Sequence, residues 1–137
     1  MARNTRTGAV LEKMVLHALT QGGYTVSEQT RIGERPNGRK HMVDVVATKG
    51  EQKLIISLKW QQSSGTAEQK VPYEVICLLE AVNNKHADKA YLVLGGNGWT
   101  LRDYYVANGL KKHLKYADLV TILTLEEFVS VANQGKL

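Results

Sequence analysis

Two residues of opposite charge, Asp44 and Lys59, each lie in an apolar segment typical of a β-strand. The segments are MVDVVA at 42–47 and KLIISLKW at 53–60, joined by residues 48–52. A charge in a buried strand costs free energy unless it has a partner or a metal. A carboxylate that binds a metal, beside a lysine that neutralises developing charge, is what phosphodiester hydrolysis requires. The pair therefore predicts a site built on a hairpin.

The elements that would position this pair follow from the spacing of apolar residues. Helical spacing predicts helices at 7–21, at about 66–84, at 101–114 with an interruption at 108–109, and from 124 onward. Alternating or continuous apolar segments predict strands at 24–28, 42–47, 53–60, 90–94 and 119–123, with a turn-rich loop at 31–41. Capping-box patterns begin at Thr66 and Thr124. The order α-β-β-β-α-β-α-β-α predicts an α/β protein whose mixed sheet has helices on both faces.

Composition sets the broad class. The 137 residues fit one domain spanning 1–137, and the 43% apolar content is enough for a core. A net charge of +5 favours a polyanionic partner, either nucleic acid or an acidic membrane surface. Cys77 is the single cysteine, so no internal disulfide forms and a reducing, cytoplasmic location is expected.

Two further classes are excluded by pattern. The opening MARNTRTG has no apolar signal region, and no apolar segment approaches membrane-spanning length, so we expect neither secretion nor a membrane partner. The four histidines show no metal-ligand spacing, and no Cys/His cluster predicts zinc.

The arrangement around Asp44 resembles a known family. An acidic residue in the first helix, an Asp in one strand and a following strand that ends in x-x-Lys are similar to the PD-(D/E)XK nuclease superfamily. That group includes type II restriction endonucleases, archaeal Holliday-junction resolvases and some homing endonucleases. The resemblance implies a restriction-endonuclease-like, three-layer α-β-α fold with core order αβββαβ, which residues 7–94 match. The chain's size and its Gly8-x-x-x-Glu12 opening resemble the small resolvases most.

The resemblance implies a role for each matching residue. Asp44 would be the central ligand of Mg²⁺ or Mn²⁺, and Glu12 the helix carboxylate that assists the metal or its water. Lys59 would polarise the attacking water and steady the phosphate. The backbone carbonyl of Leu58 is a further candidate ligand, and Gln61 would contact DNA or brace the site. A solvated helix position for Glu12 and a solvated loop position for Gln61 are the structural alternatives.

One position departs from the family pattern. Asp or Glu is expected two residues before the lysine, and this chain has Ser57, whose hydroxyl is a poor Mg²⁺ ligand. Either the acid has moved to the next helix as Glu68 or Glu74, or Glu12 and Asp44 suffice with waters, or the site is disabled. Both helix glutamates also have a simpler interpretation, because early helix turns favour Glu through the helix dipole.

Basic residues cluster on the approach to Asp44. A cluster of this kind neutralises phosphates and makes binding salt-dependent, whereas the structural alternative is a solvated loop. We predict DNA contacts for the basic residues of the N-terminus and the 31–41 loop and for one glutamine after Lys59: Arg3, Arg6, Arg31, Arg35, Arg39, Lys40 and Gln62. A second basic cluster at 111–115 is interpreted as a helix C-terminus.

Together these observations predict a Mg²⁺-dependent endodeoxyribonuclease that leaves 5′-phosphate ends, as the resemblance implies. The substrate would be duplex or branched DNA, cut by a junction-resolving or a site-specific enzyme, with RNA left open. Cutting two strands calls for two sites, hence a homodimer or higher homo-oligomer. The expected host is bacterial, archaeal or phage. The alternative from another class is a catalytically weakened DNA-binding protein on the same fold, for which Ser57 is the argument.

Overall fold

The strands of this protein form one mixed sheet in the order of the chain. The computed structural model describes residues 5–62, 65 and 67–137, with the backbone alone for 5–8 and 67. Its strands are β1 (Thr25–Glu34), β2 (Lys40–Lys49), β3 (Gln52–Trp60), β4 (Lys89–Gly95) and β5 (Val120–Thr124). The first three are antiparallel neighbours, and β3, β4 and β5 are parallel. This architecture confirms the predicted mixed α/β sheet.

Helices cover both faces of the sheet. They are α1 (Thr5–Gln21), α2 (Ala67–Asn83), α3 (Arg102–Val106) and α4 (Leu125–Asn133), with short 3-10 turns at Gly109–Lys112 and Ala117–Leu119. One face packs against α2 and α3 through Val75, Leu78 and Tyr105, and the other packs against α1 and α4. Both layers follow from the two apolar faces of the central strands, as expected for a strand covered on both sides.

The packing of α1 shows how its sequence sets the layer. Leu11, Val15 and Leu19 recur every four residues and are buried against the sheet. A Cβ on Gly22 would overlap the carbonyl of Ala132 in α4, so only glycine permits the close approach of these two helices. Thr124 and Glu127 form both hydrogen bonds of the predicted capping box at the start of α4.

One expectation about the bounds of an element was wrong. Strand β1 continues to Glu34, so the predicted loop at 31–41 shrinks to residues 35–39. The part of β1 beyond Glu28 was missed because most side chains of this strand are exposed, which removes the apolar pattern. The helix predicted at 101–114 is interrupted at the predicted place. Helix α3 ends at Val106, Asn108 has a left-handed backbone with φ of +63°, and a 3-10 turn covers Gly109–Lys112.

The apolar face of α2 is mostly covered by this chain. Val75, Leu78 and Leu79 are buried, and Ile76 is 38% exposed. The apolar face of α2 is therefore explained by the chain's own core. Within the described residues, no helix is long and apolar enough to span a membrane.

Candidate nuclease site

Asp44 lies where strands β2 and β3 part. Their register runs from Lys49 to Val45, which pairs with Ile56, and stops before Asp44. Val43 packs on the α2 side and Val45 on the α1 side, although residues two apart in a regular strand face the same side. Strand β2 is therefore irregular at Asp44. At this irregularity the Asp44 carboxylate bonds to β3 instead, because its Oδ2 accepts a 2.7 Å hydrogen bond from the backbone N–H of Leu58.

Glu12 of α1 is the acidic neighbour of Asp44. Burial raises the pKa of Glu12, a hydrogen bond from the Gln29 side chain partly offsets this, and the nearby Asp44 and Glu28 raise the pKa further. The Oε1 atom of Glu12 is buried and has no hydrogen-bond partner. Two carboxylates therefore lie together with one oxygen unsatisfied, as expected where a cation would relieve both costs.

Gln29 of β1 joins this acidic pair and was missed in the sequence. Its Nε2 donates to Oδ1 of Asp44 over 3.3 Å. Its backbone has a φ of +45°, a left-handed conformation that is uncommon outside glycine. A glutamine on an exposed strand gives no sequence signal, since its role depends on this local backbone.

Glu74 of α2 occupies the region that Ser57 faces. Its Oε1 accepts a 3.1 Å hydrogen bond from the Ser57 hydroxyl, and its Oε2 lies 3.6 Å from both Lys59 Nζ and Arg35 Nη1. His41 Nε2 lies 3.9 Å from Oε1. Ser57 is thus hydrogen-bonded to one of the two α2 glutamates that the sequence offered as replacements for the missing acid.

The charge of Glu74 is strongly stabilised. Burial opposes its ionisation, but the nearby His41 ring, the charges of Lys59 and Arg35, and the Ser57 hydroxyl together lower its pKa to about 2. Glu74 is therefore a carboxylate at all ordinary pH values. It holds Lys59 on the α2 side of the sheet, so in the described part of the chain Lys59 pairs with Glu74 and not with Asp44.

The site thus consists of two groups, which meet at residues 57–59 of β3. The acidic pair of Asp44 and Glu12 lies on one side, and the cationic cluster around Glu74 on the other. The side chains of Ser57 and Lys59 contact Glu74, whereas the backbone N–H of Leu58 between them donates to Asp44.

Glu68 and Gln61 have structural partners. The Glu68 carboxylate accepts hydrogen bonds from the backbone N–H groups of Thr100 and Leu101 and from the Thr100 hydroxyl, and these bonds lower its pKa. Gln61 is buried and donates to the carbonyl of Gly98 over 2.8 Å. Both residues position the loop after β4, so the placement of Glu68 does not support its predicted metal role.

The predicted DNA-binding residues separate into exposed and engaged groups. Arg39, Lys40 and Gln62 are exposed, and Arg31 is exposed while lying 3.9 Å from Glu34. Arg35 differs, because it points inward to Glu74 and donates to Cys77 Sγ over 3.1 Å. His41, counted in the sequence with the basic cluster, is 1% exposed. Its burial has a signal, since residues 40–43 alternate between exposed and buried, with His41 and Val43 the buried ones. Arg3 lies outside the described residues. Arg6 is described by its backbone alone, so the predicted DNA contact of its side chain also lies outside them.

The carboxylate oxygens of Asp44 and Glu12 suit Mg²⁺ better than a metal whose ligands are all protein side chains. Among the described residues, no three His, Cys, Asp or Glu side chains converge on one point. Mg²⁺ commonly binds through one or two carboxylates and keeps several waters, which substrate phosphates then replace. Asp44 and Glu12, with the unsatisfied Glu12 Oε1, meet that requirement.

The chain folds as a mixed sheet between helical layers, with Asp44, Glu12 and Lys59 near the point where the β2–β3 hairpin parts. The chain belongs to the PD-(D/E)XK nuclease superfamily, because the superfamily's domain model matches residues 3–136. The superfamily acts on nucleic acid and generally uses divalent metals.

A solved structure supports the fold. The crystal structure of a protein of unknown function, AF1548, is similar to this chain with a TM-score of 0.51 at 10% identity. The match covers 83% of this chain and 57% of that one, so this chain corresponds to little more than half of that protein. No curated protein matches this chain.

Proposed function

We propose that this protein is a metal-dependent DNA endonuclease whose metal is held by Asp44 and Glu12. The observation that carries the proposal is the position of Asp44, fixed by the Leu58 N–H at the break between β2 and β3 and next to Glu12. A bound Mg²⁺ or Mn²⁺ would polarise the phosphate and lower the pKa of a metal-bound water. The carbonyl of Leu58, on the same residue, is a further candidate ligand.

Lys59 would supply the positive charge for the phosphate. Its Nζ lies 3.6 Å from Glu74 with the side chain 28% exposed, so it is both anchored and accessible. We propose that Glu74 acts as a positioning residue for Lys59 rather than as a metal ligand, because its carboxylate already faces Lys59, Arg35 and His41. Ser57 then serves by orienting Glu74.

The surface beside the site suits a polyanion. Arg31, Arg39 and Lys40 are exposed on β1, β2 and the turn between them, and Asp44 lies further along β2. We propose that these residues and Gln62 contact the DNA backbone, so that binding weakens steeply with salt. Cleavage of both strands requires two copies of the site, hence a homo-oligomer. Junction-resolving and site-specific cutting are both compatible with this site.

A DNA-binding protein with little activity is the second candidate. It is favoured by the commitment of Glu74 to Arg35, Lys59 and His41, which leaves two carboxylates in the acidic pair. Such a protein would keep salt-sensitive DNA binding without cleavage.

The experiment is a cleavage assay on labelled four-way junctions, supercoiled plasmid and structured RNA, with Mg²⁺, Mn²⁺ or EDTA. The variants are Asp44→Asn and Lys59→Ala. Asp118→Asn and Lys89→Ala are their matched controls, because both residues are exposed. Lys89 begins β4, whereas Lys59 pairs with Leu94 near the other end of that strand.

Metal-dependent cleavage that is lost in the site variants and kept in both controls is the expected result. A preference for junctions over plasmid would identify a resolvase, and cleavage of RNA alone would overturn the DNA assignment. Salt-sensitive binding with no cleavage of any substrate would favour the second candidate. Cleavage that survives Asp44→Asn would contradict the site itself.

A further inference from the structure

The backbone conformation of Gln29 is not explained by its residue type. In the register of β1 and β2, Glu28 pairs with Val45 and Thr30 pairs with Val43, so Gln29 lies across from Asp44. Both residues of this cross-strand position are irregular: Gln29 has a φ of +45°, and strand β2 changes face at Asp44. The break therefore spans two neighbouring strands and is centred on this pair.

The left-handed backbone at Gln29 carries a cost. A non-glycine residue in this region is strained by about 1–3 kcal/mol, and such strain persists where the surroundings determine it. In the usual turn or cap, Gly or Asn fills this conformation at lower cost. What this glutamine gains is the reach of its amide, which donates to Asp44 Oδ1 and also hydrogen-bonds Glu12.

We propose that Gln29 is a positioning residue that holds Asp44 and Glu12 in place for the metal; this inference rests on the proposed function. The two carboxylates repel each other, and a neutral donor between them keeps them close without neutralising either. Asp44 is then fixed by two donors, the Gln29 amide on Oδ1 and the Leu58 N–H on Oδ2. Groups that orient metal-binding side chains in this way commonly contribute 10–100-fold to metal affinity.

The test measures Mn²⁺ binding by calorimetry, with no substrate present, on the Lys59→Ala protein. Two substitutions at one position separate the amide from the backbone. Gln29→Gly relieves the left-handed strain and removes the amide, whereas Gln29→Met keeps the length of the side chain and removes only the donor. Lys85→Gly is the control, since Lys85 also has a positive φ, of 63°, and follows α2 far along the chain.

The expected result is about a 10-fold weaker affinity for Mn²⁺ in both Gln29 variants and an unchanged affinity in Lys85→Gly. Gln29→Gly should also unfold at the same or a higher temperature than its parent without metal, so that stability and affinity move in opposite directions. A merely structural role would lower both together.

The outcomes separate this inference from the function on which it rests. If the parent binds Mn²⁺ and Gln29→Met binds it equally well, the amide has no positioning role, and the proposed metal site stands. If the parent binds no Mn²⁺ and Asp44→Asn changes nothing, the metal site itself fails. Weaker binding in Gln29→Gly alone would assign the effect to the backbone and overturn the role of the amide.

Discussion

Replacing Glu74 with glutamine should destabilise the protein through charge alone. Glutamine is the neutral isostere of a protonated glutamic acid, so Glu74→Gln keeps the shape and removes the negative charge that Arg35 and Lys59 face. The pKa of Glu74 falls from 4.5 to about 2 on folding. At ~1.36 kcal/mol per pH unit, this difference corresponds to about 3 kcal/mol at neutral pH.

The pH dependence gives the sign. A carboxyl group whose pKa is lowered in the folded state stabilises the fold above its ordinary pKa, and this contribution is lost as the pH falls from about 4.5 to about 2. The wild type should therefore exceed Glu74→Gln by about 3 kcal/mol at pH 7 and by only about 1.5 kcal/mol at pH 3.

The assay is urea unfolding of both proteins at pH 7, 5 and 3, followed by far-UV circular dichroism. Glu80→Gln is the control, because Glu80 is exposed on the same helix, and it should change stability little at any pH. A difference between wild type and Glu74→Gln that stays constant from pH 7 to pH 3 would refute the reasoning, because it would assign the loss to packing.

Three further predictions concern other residues. Glu12→Gln should raise the free energy of unfolding in EDTA at pH 7 by less than ~1 kcal/mol, because burial raises the pKa of Glu12 and its ionisation opposes folding. Below pH 4 this gain in stability should vanish. A loss of stability at pH 7 would contradict the prediction. Gly96→Ala should be about 1–2 kcal/mol more destabilising in urea than Gly38→Ala, because both glycines have positive φ but a Cβ at Gly96 alone meets backbone; equal losses would contradict this. Glu68→Gln should speed amide exchange at Thr100 with metal-dependent cleavage retained, since its carboxylate holds that N–H; loss of cleavage would restore Glu68 as a ligand.

The sequence was sufficient where residue pattern and packing agree. The strands around Asp44 and Lys59 were predicted to within two residues at each end, because buried strands carry continuous apolar segments. The sequence failed to predict the second half of β1, an edge strand whose side chains mostly face solvent. Pairing at an edge depends on the neighbouring strand rather than on the strand's own composition.

The candidate site shows a similar division. The sequence indicated a carboxylate from the second helix but could not choose between Glu68 and Glu74, since six residues of helix place them on different faces. Only the packing of α2 shows that Glu74 faces Ser57 and that Glu68 faces the loop at 99–101. Gln29 was beyond prediction, because a left-handed residue in a strand leaves no pattern.

The mixed sheet has a consequence for the order of folding. Strands β1, β2 and β3 are joined by short turns, so their contacts form with little loss of chain entropy, whereas β3, β4 and β5 pair only after longer crossovers. Asp44 and Lys59 both belong to the early, local half. Glu74 arrives with the first crossover, so Lys59 acquires its anchor only as the slower, parallel half of the sheet assembles.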